Sequence, residues 1–234
     1  MIRLDQFVSQ ALNTSRNEAQ KLIRAGLISL NEQIVLKSPT AVPEGAQVRL
    51  EDEILSLPGL IYLMLNKPLG VISATEDPSQ RTVLNLIKHP HVHLLHPVGR
   101  LDKDSTGLIL LTNDGQWSHR ITAPRKHVPK VYLAKLAEPL PTTAADQLQQ
   151  GVILHGETEP VSASKVEILP EQQVRITIYE GKYHQVKRML AAVGNHVEQL
   201  HREQIGSLPL DPQLATGEWR LLTSLEQQRV LMAS

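Results

Sequence analysis

The sequence predicts an α+β fold, in which a small N-terminal domain precedes a larger domain with a mainly antiparallel, mixed sheet. Beyond residue 60, strand-like runs alternate irregularly with helical segments, and several neighbouring strands lack the intervening helix that parallel pairing requires. Between residues 51 and 59, three acids precede Leu-Ser-Leu-Pro-Gly, a composition typical of a linker. We therefore predict a small domain at 1–55, a linker at 56–60 and the larger domain at 61–234.

Composition sets broad limits. The chain has 234 residues, of which 41% are hydrophobic, enough to bury a sizeable core. It contains no cysteine, which excludes disulfides, thiolate nucleophiles and cysteine-based zinc sites and fits a reducing cytosol. Basic and acidic residues balance at 24 each, so the distribution of charge decides more than its total. The sequence shows neither a signal segment nor an apolar run long enough for a bilayer, so we expect a cytoplasmic protein without membrane contact.

Two helices and three strands are predicted in the small domain. Apolar residues at helical spacing indicate a helix over 4–12, and a capping box at Ser15 and Glu18 opens a second helix that Gly26 closes. Strand-like runs follow at 27–30, 34–36 and 47–50. The second helix has a basic face, which either binds phosphates or is simply solvated. The cations of this region that could contact phosphates are Arg3, Arg16, Lys21 and Arg24.

The larger domain combines strands and helices around one conspicuous loop. Strand-like runs lie at 61–65, 108–112, 130–136, 161–168 and 174–179, and helical segments lie at 82–87, 115–122, 142–151 and 183–193. The tripeptide Arg-Leu-Asp that ends at Asp102 lies between Gly99 and Gly107, just before the second strand. A tight loop therefore presents this acid against a buried scaffold, which is typical of a functional carboxylate.

Basic residues are concentrated in two stretches of the larger domain. Residues 116–135 contain no acid, so they either attract a phosphate backbone or form an ordinary charged loop. In the second stretch, Lys187 and Arg188 lie one turn into a helix, near the positive end of its dipole, which suits anion contacts better than helix stability. The candidate phosphate contacts of the first stretch include Arg120, Arg125, Lys126 and Lys130.

Metal and hydrolytic sites are poorly supported. Asp102 and Asp104 form an Asp-x-Asp pair that could hold Mg²⁺, but no further acid cluster accompanies them. Four histidines lie close together at 89–96, but Pro90 interrupts the segment and no carboxylate or cysteine completes a zinc site. The sequence also lacks a Gly-x-Ser-x-Gly nucleophile elbow. We expect neither a metal nor a cofactor.

Four motifs resemble, in their order, those of the RsuA- and RluA-type RNA pseudouridine synthases. They are Leu-Asn-Lys-Pro-Leu-Gly at 65–70, Gly-Arg-Leu-Asp at 99–102, Lys-Val-Tyr at 130–132 and Glu-Gly-Lys-Tyr-His-Gln-Val-Lys-Arg-Met at 180–189. Residues 3–5, 15–16 and 23–28 resemble a small RNA-binding domain, with its αL motif, first described in a small-subunit ribosomal protein. The resemblance covers almost the whole chain and implies a pseudouridine synthase catalytic domain behind this RNA-binding domain.

The resemblance also implies roles for individual residues. Asp102 would be the catalytic nucleophile, Tyr132 would stack on the target base, and Lys187 would be the basic partner of Asp102, with Arg188 as the alternative. Arg100 would help to hold the RNA in its flipped form. Isomerising uridine requires the bond from nitrogen to ribose to break and the freed uracil to turn and rejoin through carbon. The carboxylate either attacks the anomeric carbon or acts as a base on the sugar, and the sequence leaves both routes open.

The expected substrate follows from further details of the resemblance. Residues 118–122 and 194–197 resemble family members that act on small-subunit ribosomal RNA. We therefore expect conversion of one uridine of 16S ribosomal RNA to pseudouridine, by a monomer that acts on RNA within an assembling particle. One alternative is a paralogue that modifies large-subunit ribosomal RNA or transfer RNA. Another is a non-catalytic RNA-binding assembly factor that retains the fold.

Overall fold

The computed structural model describes residues 2–123 and 127–232, and the chain divides into two compact units, Met1–Leu60 and Ile61–Ser234. None of the five residues of the predicted linker, 56–60, lies in a helix or strand. Three of the residues that its composition suggested as linker, Glu53–Leu55, instead form a strand that pairs with Val48–Leu50. The acidic residues there belong to a tight hairpin, in which Glu51 has a positive φ of 50°.

The N-terminal unit contains two helices and six short strands. Helix α1 spans Leu4–Ala11 and α2 spans Arg16–Arg24, and the Ser15 hydroxyl accepts a hydrogen bond from the Glu18 amide at the start of α2. The strands are β1 (Ile2–Arg3), β2 (Ile28–Leu30), β3 (Gln33–Ile34), β4 (Ala41–Val42), β5 (Val48–Leu50) and β6 (Glu53–Leu55). They form an antiparallel pair, β1-β4, and an antiparallel sheet in the order β3-β2-β5-β6. Apolar residues of both helices and of four strands form the core of the unit.

The larger unit is built on one nine-stranded sheet. The described strands of this unit are β7 (Tyr62–Lys67), β8 (His96–Val98), β9 (Ser105–Thr112), β10 (Lys130–Leu136), β11 (Val152–Ile153), β12 (Pro160–Val161), β13 (Lys165–Leu169), β14 (Gln173–Ile178), β15 (Val197–Ile205), β16 (Leu208–Pro209) and β17 (Trp219–Leu221). Strands β11 and β12 form a separate antiparallel pair, and the other nine form the sheet. The main path of the sheet is β13-β14-β10-β15-β9-β7-β17, with β16 paired to β15 and β8 paired to β9. Every pairing in it is antiparallel except that of β9 with β15. The predicted α+β class with a mainly antiparallel, mixed sheet is confirmed.

Helices flank this sheet. They are α3 (Gly115–Thr122), α4 (Thr142–Gln150), α5 (Gln185–Ala192) and α6 (Ser224–Arg229), with 3-10 turns at Val83–Leu86 and Val92–Leu94. The helix predicted at 82–87 is the first of these 3-10 turns, and the strand predicted at 161–168 is split between β12 and β13. Among the residues that the structure describes, no helix is both long and apolar enough to cross a membrane.

Both faces of the central strands are buried. Alternate residues of β9 contribute to two different apolar clusters, Ile109 and Leu111 to one and Leu108 and Leu110 to the other. This double burial explains why β9 reads as a continuous apolar run rather than as an alternating one.

Three adjacent strands bring the site residues together. Tyr132 on β10 lies opposite Arg202 on β15, and Arg202 in turn lies beside Gly107 on β9. The loop that carries Asp102 leads directly into β9, so the sheet sets the distance between that loop and Tyr132.

Candidate active site

A cleft of about 890 Å³ lies at the start of β9. Its walls come from the loop 99–104, which carries Asp102, from the turn 181–184 before α5, and from residues 69–73. Tyr132, Tyr183 and Arg202 also line it. Most of the motifs that the sequence singled out therefore meet around one cleft.

Asp102 is held through both carboxylate oxygens. Its Oδ2 lies 3.1 Å from the Nζ of Lys187, and its Oδ1 lies 3.3 Å from the Nε2 of His184. The side chain keeps 27% of its surface exposed to the cleft. Lys187 Nζ also donates to Asp104 Oδ1 at 2.5 Å, so one ammonium group bridges both acids.

Hydrogen bonds to the backbone fix the loop around Asp102. The buried Ser73 hydroxyl donates to the carbonyl of Leu101 at 2.7 Å and accepts from the amide of Leu101 at 2.9 Å. The amide of Gly70 donates to the carbonyl of Lys103 at 2.8 Å, and the amide of Ser105 donates to the carbonyl of Asp102 at 3.1 Å. The carboxylate is therefore presented from a pre-organised loop.

Charge distribution keeps Lys187 protonated. Burial alone would lower the pKa of Lys187, but its hydrogen bonds to Asp104 and Asp102 outweigh burial, and the pKa is raised from its ordinary value. The same hydrogen bond from Lys187 lowers the pKa of Asp104. A positively charged Lys187 therefore faces Asp102 at neutral pH.

Arg188, the alternative partner, points elsewhere. Its Nη1 lies 3.0 Å from Glu157 Oε1 and donates to the carbonyl of Tyr183 at 3.1 Å, and its Nη2 donates to the carbonyl of His155 at 2.7 Å. Glu157 also pairs with Lys182. These contacts hold the turn 181–184 in place, and the geometry favours Lys187 as the partner of Asp102.

Lys67 lies completely buried beneath the start of β9. Its Nζ donates to the carbonyl of Ser105 at 2.7 Å and to the carbonyl of Pro68 at 3.0 Å. Burial lowers the pKa of Lys67 to about 8. In the first sequence motif, Lys67 is therefore a buried support for the loop, whereas Leu69 and Gly70 line the cleft.

Two site residues were missed as functional residues by the sequence analysis. His184 lies within a quoted motif but was given no role, and the structure places it on Asp102 with its ring stacked on Tyr183 at 3.8 Å between centroids. Arg202 is 3% exposed and lies with its guanidinium carbon 5.9 Å from the centre of the Tyr132 ring. No local pattern in the sequence could have found Arg202, because its strand, β15, consists mostly of polar residues.

The other candidate phosphate contacts differ in availability. Arg100 is exposed at the cleft and Arg120 is exposed on α3, whereas Lys130 donates to the carbonyl of Tyr179 at 3.1 Å. Burial lowers the pKa of Lys130 to about 8, so it is a weaker candidate for an RNA contact. Arg125 and Lys126 lie outside the residues that the structure describes.

In the N-terminal unit, two of the four candidate cations pair with one buried acid. Asp5 is fully buried, and Arg3 and Arg16 approach it at 2.9 Å and 3.6 Å. The hydrogen bond from Arg3 lowers the pKa of Asp5. Lys21 pairs with Glu18 at 2.7 Å, and Arg24 is exposed at the end of α2. Arg3 and Arg16 therefore have a structural role besides any contact with phosphate.

The structure shows the surroundings of the two candidate metal sites, the Asp102–Asp104 pair and the histidines at 89–96. Asp102 and Asp104 share the Lys187 ammonium group, so a cation of the protein already lies between them. The ring centres of His89 and His91 are 5.9 Å apart, and those of His91 and His93 are 6.2 Å apart. Among residues 2–123 and 127–232, no group of three or more potential ligands is arranged to hold a metal ion.

Both units of the chain match families of known proteins. Residues 61–192 match the RNA pseudouridylate synthase family, and residues 2–48 match the S4 domain. The chain therefore belongs to the RNA pseudouridylate synthase family, in the group whose members carry an N-terminal S4 domain, and is an RNA pseudouridine synthase.

Individual relatives span nearly the whole chain. The ribosomal small subunit pseudouridine synthase A of Escherichia coli (strain K12) is 46% identical over 226 residues, covering 96% of this chain and 98% of that protein. The protein of the same name from Haemophilus influenzae is 42% identical over 231 residues, covering 98% of this chain and all of that protein. A crystal structure of a pseudouridylate synthase, 42% identical, covers 98% of this chain and 100% of its own, with a TM-score of 0.72.

Proposed function

We propose that this protein converts one uridine of 16S ribosomal RNA to pseudouridine, with Asp102 as the group that reacts with the target nucleotide. The observation that carries the proposal is the position of Asp102: it lies in an open cleft beside Tyr132, with Lys187 and His184 on its two oxygens. Relatives that match over nearly their full length are named for the small ribosomal subunit, which supports the choice of RNA.

The reaction is a net isomerisation. The bond from N1 of uracil to C1′ of ribose breaks, the uracil turns, C5 bonds to C1′, and the proton on C5 is lost while N1 gains one. Asp102 acts as a carboxylate in either of two routes, attack on C1′ to form a covalent intermediate or removal of a proton from the sugar. Lys187 holds the carboxylate in position in both routes, because its ammonium group donates to Asp102 Oδ2 at 3.1 Å.

The target base has to leave the RNA stack to reach Asp102. The Tyr132 ring, on the wall of the same cleft, offers a face that recovers part of the lost stacking energy. Arg100 is exposed beside Asp102, where its charge would favour a phosphate of the flipped strand. Tyr183, 76% exposed at the rim, offers a further stacking surface for the RNA.

The N-terminal domain is proposed to add RNA affinity. The exposed cations of α2, above all Arg24, are its best candidates for phosphate contacts, with Lys21, Arg16 and Arg3 beside them. We place the boundary between the RNA-binding and catalytic domains at 56–60, and we propose that the protein acts as a monomer in the cytoplasm, on RNA within an assembling ribosomal particle. Because the net charge is zero, binding is expected to depend on local basic surfaces and to weaken with salt.

The test is to map the modified position. The purified protein is incubated with 16S transcript alone, with 16S transcript carrying ribosomal proteins, with large-subunit transcript and with transfer RNA, and pseudouridines are located by carbodiimide-dependent reverse-transcriptase stops. A single new stop in 16S RNA is expected, stronger on the protein-bound transcript. A stop only in large-subunit or transfer RNA would overturn the substrate assignment, and binding without any stop would favour a non-catalytic factor.

A further inference from the structure

Arg202 is a buried charge that the proposed reaction does not yet use. It is 3% exposed, and in the described part of the chain its guanidinium forms no ion pair with a carboxylate. Its Nη2 is buried without a hydrogen-bond partner there. A buried charge without a counter-ion and a buried donor without an acceptor both destabilise a fold. An apolar side chain would serve packing alone better, so the arginine points to a functional requirement.

The contacts of Arg202 join the elements that form the cleft. Its Nε donates to the carbonyl of Leu108 on β9 at 2.7 Å. Its Nη1 lies 3.4 Å from the carbonyl of Arg100, in the loop of Asp102, and 3.4 Å from the hydroxyl of Tyr132 on β10. One rigid, planar group therefore reaches both the loop that carries the reacting carboxylate and the ring proposed to hold the base.

The two 3.4 Å contacts are long for hydrogen bonds, whereas the contact to Leu108 is short. Arg202 is thus anchored at Nε, its Nη1 makes two long contacts with Tyr132 and Arg100, and its Nη2 has no hydrogen-bond partner among the described residues. Long contacts at catalytic sites commonly tighten when the substrate binds. A lysine at this position would keep the charge but could not span three acceptors in one plane.

We propose that Arg202 is a positioning residue, which sets the Tyr132 ring and the Asp102 loop at the separation that the isomerisation of uridine requires. This inference rests on the proposed function. It predicts that Arg202 acts largely through the Tyr132 hydroxyl, so removing that hydroxyl should remove much of the effect of changing Arg202.

The test is a double-mutant cycle with Arg202→Lys, Tyr132→Phe and the double variant. Single-turnover rates and apparent KM are measured on the RNA that the wild-type protein modifies. Arg202→Lys is expected to lower the rate about 10- to 100-fold with KM changed less than about threefold. In the Tyr132→Phe background, Arg202→Lys is expected to lower the rate by a fold-change at most about a third as large as in the wild-type background, because the effects of contacting residues are not additive.

Arg175→Lys is the matched control. Arg175 lies on β14, which β10 separates from β15 in the same sheet, and it pairs with Glu203 at 2.7 Å and does not line the cleft. It should leave the rate within about twofold of wild type. Thermal unfolding of every variant separates positioning from folding, and Arg202→Lys should lose rate while its folded fraction at the assay temperature matches the control.

Three results overturn the inference while leaving the proposed function standing, provided that the wild-type protein is active. These are an Arg202→Lys rate equal to that of Arg175→Lys, an equal loss with and without the Tyr132 hydroxyl, and a loss explained by unfolding. A wild-type protein that forms no pseudouridine on any of the tested RNAs overturns both proposals together.

Discussion

Replacing Gly107 by alanine tests the packing that brings the site together. Gly107 has a φ of 103°, a conformation that residues with a Cβ rarely adopt. A Cβ there would overlap the carbonyl oxygen of Arg202 and lie 2.8 Å from its amide nitrogen and 3.0 Å from its carbonyl carbon. These are backbone atoms of the paired strand β15, so they cannot move aside as the end of a flexible side chain could.

The expected destabilisation has two parts. The positive φ costs about 1–2 kcal/mol for an alanine, and forcing an extra carbon against a packed backbone costs about 1–3 kcal/mol. Together they lower the free energy of unfolding of the larger unit by about 2–5 kcal/mol, a large share of the roughly 5–15 kcal/mol typical of a domain. Pseudouridine formation should also fall, since β9 supports the Asp102 loop.

The assay is urea unfolding followed by tryptophan fluorescence. Both tryptophans of the chain, Trp117 and Trp219, lie in the larger unit, so their fluorescence reports on that unit alone. Gly115→Ala is the control, because a Cβ at Gly115 meets nothing within 4 Å and the backbone there is ordinary. It should leave the unfolding midpoint near that of wild type. If Gly107→Ala unfolded at the same urea concentration as the control, the description of the β9-β15 contact would be wrong.

Three further predictions concern charge and stacking. Lys187→Met removes the ammonium group 3.1 Å from Asp102. Because this pair is partly exposed, we expect the loss of transition-state stabilisation to be about 2–3 kcal/mol, or roughly 30- to 150-fold in single-turnover rate. Lys187→Arg should restore part of the rate, and equal rates for the methionine and arginine variants would contradict this. The hydrogen bond from Arg220 lowers the pKa of Glu226 to about 2. The stability that this interaction gives, about 1–3 kcal/mol, is therefore present above about pH 4.5 and is lost as the pH falls towards 2. Urea unfolding of Glu226→Gln should depend less on pH over that range than urea unfolding of the wild type. Tyr183→Leu should raise the apparent KM for RNA several-fold whereas Tyr183→Phe should not, and an equal effect of both would exclude stacking at the rim.

The parts of the fold that leave a local signal in consecutive residues could be predicted from the sequence. The apolar run of β9 and the charged loop before it were recognised because burial on both faces and tight turns leave local signals. Strand β15 was not predicted, since its sequence, Val-Glu-Gln-Leu-His-Arg-Glu-Gln-Ile, contains mostly polar residues. Its place in the middle of the sheet follows from pairing with β9 and β10, which are distant in the chain.

The same reasoning explains what was missed in the site. Lys187 and Arg188 are adjacent in the sequence and chemically similar, so no local pattern separates them; helix α5 turns one towards Asp102 and the other towards Glu157. Arg202 reaches the cleft only because β15 lies between β9 and β10, and a lone arginine in a polar strand carries no signal of that position. Arg3 and Arg16 were grouped as phosphate contacts, because the burial of Asp5 between them is visible only in three dimensions.

The most direct test of the central claim compares Asp102→Asn with Asp104→Asn. Each change removes one negative charge from the same loop, and each removes a carboxylate that pairs with Lys187. Asp104 is 71% exposed, however, and only Asp102 is proposed to react with the nucleotide. Pseudouridine is mapped in the RNA that the wild-type protein modifies, and RNA binding is measured in parallel. We predict that Asp102→Asn binds RNA but forms no pseudouridine, while Asp104→Asn keeps at least about a tenth of the wild-type rate. Pseudouridine formed by Asp102→Asn at a rate similar to that of Asp104→Asn would contradict the account.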